Sequence, residues 1–153
     1  MVRALVKAGA ECARSNANGA TVIHLAAGVG HPLIIKELLK TLKADVNKQT
    51  QDGSTPLHFA VRSRRAGAVK VLLKHKAYTE ARDHMGQTAL ILACSVAMPQ
   101  LDMVRALISA GADVSARMNN MYSALHLASA KNEAGRLSPH WFEMWSSGQQ
   151  MWI

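Results

Sequence analysis

One short stretch recurs along this chain at a nearly fixed interval, and few folds accommodate such a pattern. Its clearest copy is Asp52-Gly53-Ser54-Thr55-Pro56-Leu57-His58-Phe59-Ala60. Asp-Gly is a turn dipeptide. Thr55 is placed to act as an N-cap, its hydroxyl accepting the backbone N–H of His58. Pro56 then takes the first helical position, where its missing N–H costs nothing. Leu57, Ala60 and Val61 follow at helical spacing and turn one face inward. Related stretches run from Gly19 to Ala26, from Gly86 to Ala93 and from Met121 to Ala128. Their Thr or Ser positions (Thr21, Thr55, Thr88 and Ser123) stand 34, 33 and 35 residues apart. A second landmark keeps the same spacings on its alanine: Gly9-Ala10-Glu11, Lys43-Ala44-Asp45, Lys76-Ala77-Tyr78 and Gly111-Ala112-Asp113. Two independent landmarks in one phase mark a repeat architecture in which each unit stacks on its neighbours.

The period near 33, the T-P-L-H-x-A of Thr55 to Ala60 and the G-A-D-V of Gly111 to Val114 together resemble ankyrin repeats. The resemblance covers residues 2–135. It implies an all-α solenoid in which each unit is a β-turn, two antiparallel helices and a loop. The apolar pattern agrees. Leu57, Ala60 and Val61 make a stripe on the first helix, and Val69, Leu72 and Leu73 make one on the second. Each stripe is too small to form a core alone, so stacked neighbours must bury it.

The copies are unequal. An ankyrin-repeat domain over 1–135 divides into a half-unit at 2–14, whole units at 16–48, 50–82 and 83–117, and a half-unit at 118–135. The first whole unit carries an extra residue around its second helix, between Ile34 and Leu42. The third carries about two near Ala97-Met98-Pro99, where Pro99 disfavours continued helix. Three whole units are near the minimum for a stable stack. Half-units without polar caps lead us to expect a shortened or differently ended version of a longer repeat protein. Residues 136–153 break the pattern and hold all three tryptophans, Trp141, Trp145 and Trp152. Ser138 and Pro139 can start a short helix with Trp141 and Trp145 on one face. Three roles stay open for this tail: an improvised cap, an unfolded extension, or a hydrophobic docking or membrane-interface segment.

A chain of 153 residues, 49% apolar, is about one domain with enough apolar residues for a core. It has no apolar run long enough for a transmembrane helix, and Lys7 interrupts the only apolar patch at the start. Cys12 and Cys94 are far apart and lack metal-ligand spacing, which fits buried free thiols and an intracellular, cytoplasmic or nuclear setting. The net charge of +8 admits acidic partners, and seven of the 18 basic residues lie between Arg62 and Arg82.

Nothing in the sequence positions an enzyme's groups. No nucleophile elbow or phosphate-binding glycine motif occurs, and no Cys/His cluster offers zinc spacing, so no catalysis, cofactor or metal is expected. His24, His58 and His126 share the T-P-L-H slot, with Ile91 replacing the fourth. The resemblance implies that this imidazole bonds turn backbone and ties units together. His31, after Gly30, is read as structural on the same ground. Asp52 and Asp83 sit in repeated turns and are expected to bond turn backbone.

Binding remains. The resemblance implies that a partner protein meets the β-turn tips and the concave face of the first helices. The matching positions are Gln51, Asp52, Ser54, Arg62, Ser63, Arg64 and Arg65 in one unit. They are His84, Met85, Gln87, Ser95 and Val96 in the next, and Asn119, Asn120, Tyr122, Ala130 and Lys131 in the last. Ala17, Asn18, Ala20, Gly28 and Val29 complete the row. The basic run spans two surfaces. Arg62 to Arg65 end a first helix near the groove, while Lys70 and Lys74 are expected on the outer, solvated face of the second. The first reading of this run is a solvated charged face, and an acidic protein partner comes second. Nucleic acid is disfavoured for want of aromatic residues to stack on bases. A monomer is expected, with end-to-end association through uncapped repeat ends as the alternative.

Overall fold

The computed structural model describes residues 14–95 and 100–134. The half-unit at 2–14 apart from Arg14, the inserted residues near Pro99, and the tail therefore lie outside the described residues.

Seven helices follow in chain order: α1 Val22–Val29, α2 Pro32–Thr41, α3 Pro56–Arg62, α4 Ala66–Lys74, α5 Ala89–Ser95, α6 Leu101–Ser109 and α7 Ala124–Ala134. They pack as two layers. In one, α1, α3, α5 and α7 lie side by side; in the other, α2, α4 and α6 do. Within each hairpin the pair also touches: α1 with α2, α3 with α4, α5 with α6. The main contacts of each helix among the described residues are thus with its hairpin mate, where it has one, and with the equivalent helices next door, as a one-dimensional stack requires. Among the described residues the only β-type pairings are isolated bridges, Ser15 with Thr21 and Arg117 with Ser123.

Helix starts follow local chemistry. Thr55 Oγ1 accepts the His58 N–H at 3.4 Å, and His58 Nδ1 accepts the Thr55 N–H at 3.2 Å. This reciprocal pair satisfies two donors that a helix N-terminus would leave orphaned. Pro32 and Pro56 occupy the first helical positions of α2 and α3. The apolar stripes then close one continuous core. Ile23, Leu57, Val61 and Ile91 fill it from the first helices, and Ile35, Leu38, Val69, Leu72 and Leu107 from the second.

Left-handed backbone recurs at three places in the period. It ends the first helices at Gly30 and Arg64, and the second at Lys43, Lys76 and Gly111. It also shapes the turns at Gly19, Gly53, Gly86 and Met121. A Cβ in this region costs about 1–2 kcal/mol, and glycine's extra freedom in the unfolded chain offsets about 0.5–1 kcal/mol of that. Combining Arg64→Gly, Lys76→Gly and Met121→Gly should therefore stabilise the stack by roughly 1.5 kcal/mol. A urea midpoint lower than that of the parent would show that these side chains contribute contacts outweighing the strain.

Candidate protein-interaction surface

Four tight turns project from the starts of the first helices. Each is closed by the same pair of backbone bonds. Gly53 N–H donates to Thr50 O and Thr50 N–H to Ser54 O, both at 3.0 Å; Gly86, Asp83 and Gln87 repeat this at 2.9 and 3.1 Å. Where the first turn residue has a side-chain acceptor, that acceptor holds the loop from inside. Asn16 Oδ1 takes the N–H groups of Asn18 and Ala20, and Asp83 Oδ1 those of Met85 and Gln87. Thr50 and Met118 lack such a carbonyl, and the third turn residue substitutes. Asp52 Oδ1 and Asn120 Oδ1 accept from Ser54 and Tyr122, each at 3.4 Å.

The turns are also bonded to one another. Gln51 N–H donates to Asn18 O at 3.0 Å, His84 N–H to Asp52 O at 2.9 Å, and Asn119 N–H to Met85 O at 3.2 Å. Side chains add to this seam. Gln51 Nε2 reaches Ala17 O at 2.9 Å, and Asn119 Nδ2 reaches His84 O at 3.0 Å. The tips therefore form one hydrogen-bonded row.

Beneath them, two buried histidines serve the junctions of the first whole unit with the second and of the second with the third. His58 Nδ1 accepts the Thr55 N–H, which assigns the ring proton to Nε2, and Nε2–H donates to Gln87 O at 3.0 Å. His24 makes the same joint between Thr21 and Lys48 O, 3.0 Å away. Burial pushes both imidazoles below their ordinary pKa, against the opposing pull of those carbonyl bonds.

A family model of ankyrin repeats in three copies matches residues 1–83, and a single-repeat model matches residues 85–119. The chain belongs to the ankyrin-repeat family. It is 40% identical over 120 residues to mouse neurogenic locus notch homolog protein 1, covering 78% of this chain and 5% of that protein. The human counterpart is 39% identical over the same length. Mouse B-cell lymphoma 3 protein homolog is 38% identical over 135 residues, or 86% of this chain and 30% of that protein. This chain thus spans a small part of each relative. Ankyrin repeats generally mediate protein–protein interactions, on a non-catalytic scaffold. Among the described residues no group of His, Cys, Asp and Glu could hold a metal ion, and no helix is long and apolar enough to cross a membrane.

The ankyrin stack sorts the sequence-derived positions. Gln51, His84, Met85, Asn119, Asn120 and Tyr122 stand exposed along the turn row, and Asp52 is half-buried among them. Ser63, Arg62, Arg64 and Arg65 are exposed at the end of α3, while Ser95 is half-buried and its Oγ donates back to Leu92 O at 2.8 Å. Lys131 falls on α7. Val96 lies outside the described residues.

Three positions are corrected. Ala20 is 5% exposed, Ser54 is 0% exposed with its hydroxyl donating to Asp52 Oδ2 at 3.0 Å, and Gln87 is 7% exposed. All three end their turns facing the helices, so none of these side chains is available to a partner.

The Arg62 to Arg65 run does not form one patch. Arg64 takes the left-handed position that ends α3. Arg65 reaches back to the preceding unit, where its Nε donates to Gly28 O at 3.3 Å and its stem lies over Gly30. A Cβ at Gly30 would come within 2.5 Å of Arg65 Cδ. Arg62 alone faces the groove, its NH2 3.8 Å from Asp83 Oδ2, a buried oxygen with no hydrogen-bond donor. Asp52 stands near Arg62 as well. Its carboxyl is held below the usual range chiefly by the Thr50 hydroxyl, then by Ser54, with Arg62 adding a smaller pull. The single guanidinium thus faces two carboxylates.

Arg62, Asp52, Gln51, Asn18, Thr50 and Phe59 line a groove of about 350 Å³ between the first two turns. Sequence reasoning missed Phe59 and Thr50 as lining residues. The signal available was the variable x of T-P-L-H-x-A, which falls on the groove side of the first helix.

Proposed function

We propose that this ankyrin stack binds a partner protein across its turn tips and the groove beside α3. The row of bonds from Asn18 to Gln51, Asp52 to His84 and Met85 to Asn119 carries this reading, because it presents the exposed tips preformed. Binding then orders little of the scaffold, which favours affinity. Exposed Met85, Met121 and Tyr122 with Arg62 are residue types enriched in protein interfaces. The pairing of Arg62 with Asp83 weakens the acidic-partner variant at this groove, and no aromatic ladder supports base stacking. The working division into units 16–48, 50–82 and 83–117 belongs to the same proposal. So do a monomeric state and an intracellular setting.

A second reading is that the module is the regulatory part of a larger adaptor. It draws on both relatives' being much longer than the matching stretch.

Affinity capture with the parent chain beside Arg62→Glu and Tyr122→Ala tests the site. Each change should weaken a captured partner about 30-fold, the cost of losing an interface hot spot. Arg65→Glu should instead lower the melting midpoint, since Arg65 braces α1. Partners that survive both Arg62→Glu and Tyr122→Ala unchanged would rule out this groove.

A further inference from the structure

The opposite layer of the stack carries a feature that the turn-tip reading leaves unused. Lys36 on α2, Lys70 on α4 and Arg105 on α6 occupy equivalent positions, 34 and 35 residues apart, and all are exposed. Lys40 and Lys74 form a second row one helical turn further along, again 34 residues apart. None of these five has an ion pair or hydrogen bond among the described residues. Adjacent helices lie about 8–10 Å apart, and four residues along a helix span about 6 Å. The cations thus form a two-dimensional lattice on one face.

That face also carries bare apolar tips. Leu33 is 79% exposed one turn before Lys36, and Leu101 is 61% exposed one turn before Arg105. Ile108 is exposed on the other side of Arg105. The carboxylates of these helices are few: Glu37, half-buried and bonded by Thr41 Oγ1 at 2.8 Å, and Asp102 on α6.

We propose that the outer face of α2, α4 and α6 docks on a bilayer rich in anionic lipid. Clusters of four to eight basic residues on helices suit anionic headgroups, and exposed leucines beside them suit the headgroup–acyl boundary. A nucleic-acid backbone would have no use for Leu33 and Leu101, and these three helices carry no aromatic residue for bases. A protein interface is disfavoured because lysine is depleted there. The docking is peripheral and leaves the turn tips free on the other layer, so it stands independently of the partner-binding proposal.

Sedimentation with vesicles tests it. The full chain should pellet with a two-to-one phosphatidylcholine–phosphatidylserine mixture and stay in solution with phosphatidylcholine alone. Each cation removed should weaken partitioning about fivefold, so Lys70→Gln/Lys74→Gln should lose roughly 25-fold. Leu33→Ser should also weaken it. Lys48→Gln removes a cation from a loop off this face and should change partitioning much less. Melting midpoints equal to the parent's establish that the variants are folded. Unchanged partitioning of the double variant, a loss as large in Lys48→Gln, or no pelleting with phosphatidylserine would overturn the proposal. Release from the vesicles by duplex DNA at equal phosphate would overturn the lipid assignment in favour of a general polyphosphate surface.

Discussion

Gly53→Ala should destabilise the stack by about 3 kcal/mol and lower its melting midpoint by roughly 6–12 °C. Two costs add. Gly53 has φ +74°, so any Cβ there is strained. A Cβ would also stand 2.9 Å from the Arg82 carbonyl oxygen and 3.2 Å from Asp83 Cα, both backbone atoms of the next unit. Backbone cannot swing aside as a flexible side chain can, so the two turns must part. That would strain the His84 N–H bond to Asp52 O, one of the links in the row. Gly111→Ala is the matched control. It has φ +89° but nothing within 4 Å of the added carbon, so only the strain of about 1 kcal/mol remains. Urea titrations of the two variants separate the terms. Equal losses would mean that close approach of the turns contributes nothing.

The second large effect belongs to His58. His58→Ala removes a fully buried ring, orphans the Thr55 N–H and takes from the Gln87 carbonyl one of its two donors, leaving only the Asp83 N–H. Cavity and lost hydrogen bonds together should cost about 3–4 kcal/mol. His126 has the same slot, bonding Ser123 through Nδ1, but it is exposed and its other nitrogen bonds nothing among the described residues. His126→Ala should cost under about 1 kcal/mol. Similar losses at both positions would mean that the inter-unit bond is not what His58 supplies.

The same joint makes the stack acid-sensitive. His24 and His58 are neutral in the fold and have pKa values lowered from 6.5 by burial. Their contribution is fully present above the unfolded value near 6.5 and is lost as pH falls through the lower folded values. Protonation would place a proton on Nδ1, where the Thr55 or Thr21 N–H already points. Stability should therefore fall by up to about 1.4 kcal/mol per pH unit for each histidine once pH drops below 6.5. Asp52, whose carboxyl is held low, adds its own loss only at more acid pH, as pH falls through its folded value. Stability of the His58→Ala variant should depend less on pH between 6.5 and 5. An unchanged slope there would remove His58 as the sensor.

Much of the scaffold was legible in the residues. The Thr55–Pro56 start and the apolar stripes are local signals, and their recurrence carried the stack. The candidate surface was less legible. Ser54 and Ser63 look alike as polar residues beside a motif, but one is sealed under its turn and the other is open. Arg62, Arg64 and Arg65 are near neighbours in sequence, yet they meet Asp83, a helix end and Gly30 respectively. Each of those environments depends on a neighbouring unit or a backbone reversal, which side-chain type does not encode.

Taken by itself, the sequence determined the period, the helix starts and which stripes had to be buried, because capping and helical spacing act over a few residues. Only the tertiary structure decided which side chains stay free. The left-handed turn at Gly53 brings the next unit's backbone within 2.9 Å of its missing Cβ, and the same stacking directs His58 to Gln87 and Arg62 to Asp83. Those pairings join residues of neighbouring units that are 21 to 30 positions apart in the chain. They exist only once one unit lies against the next.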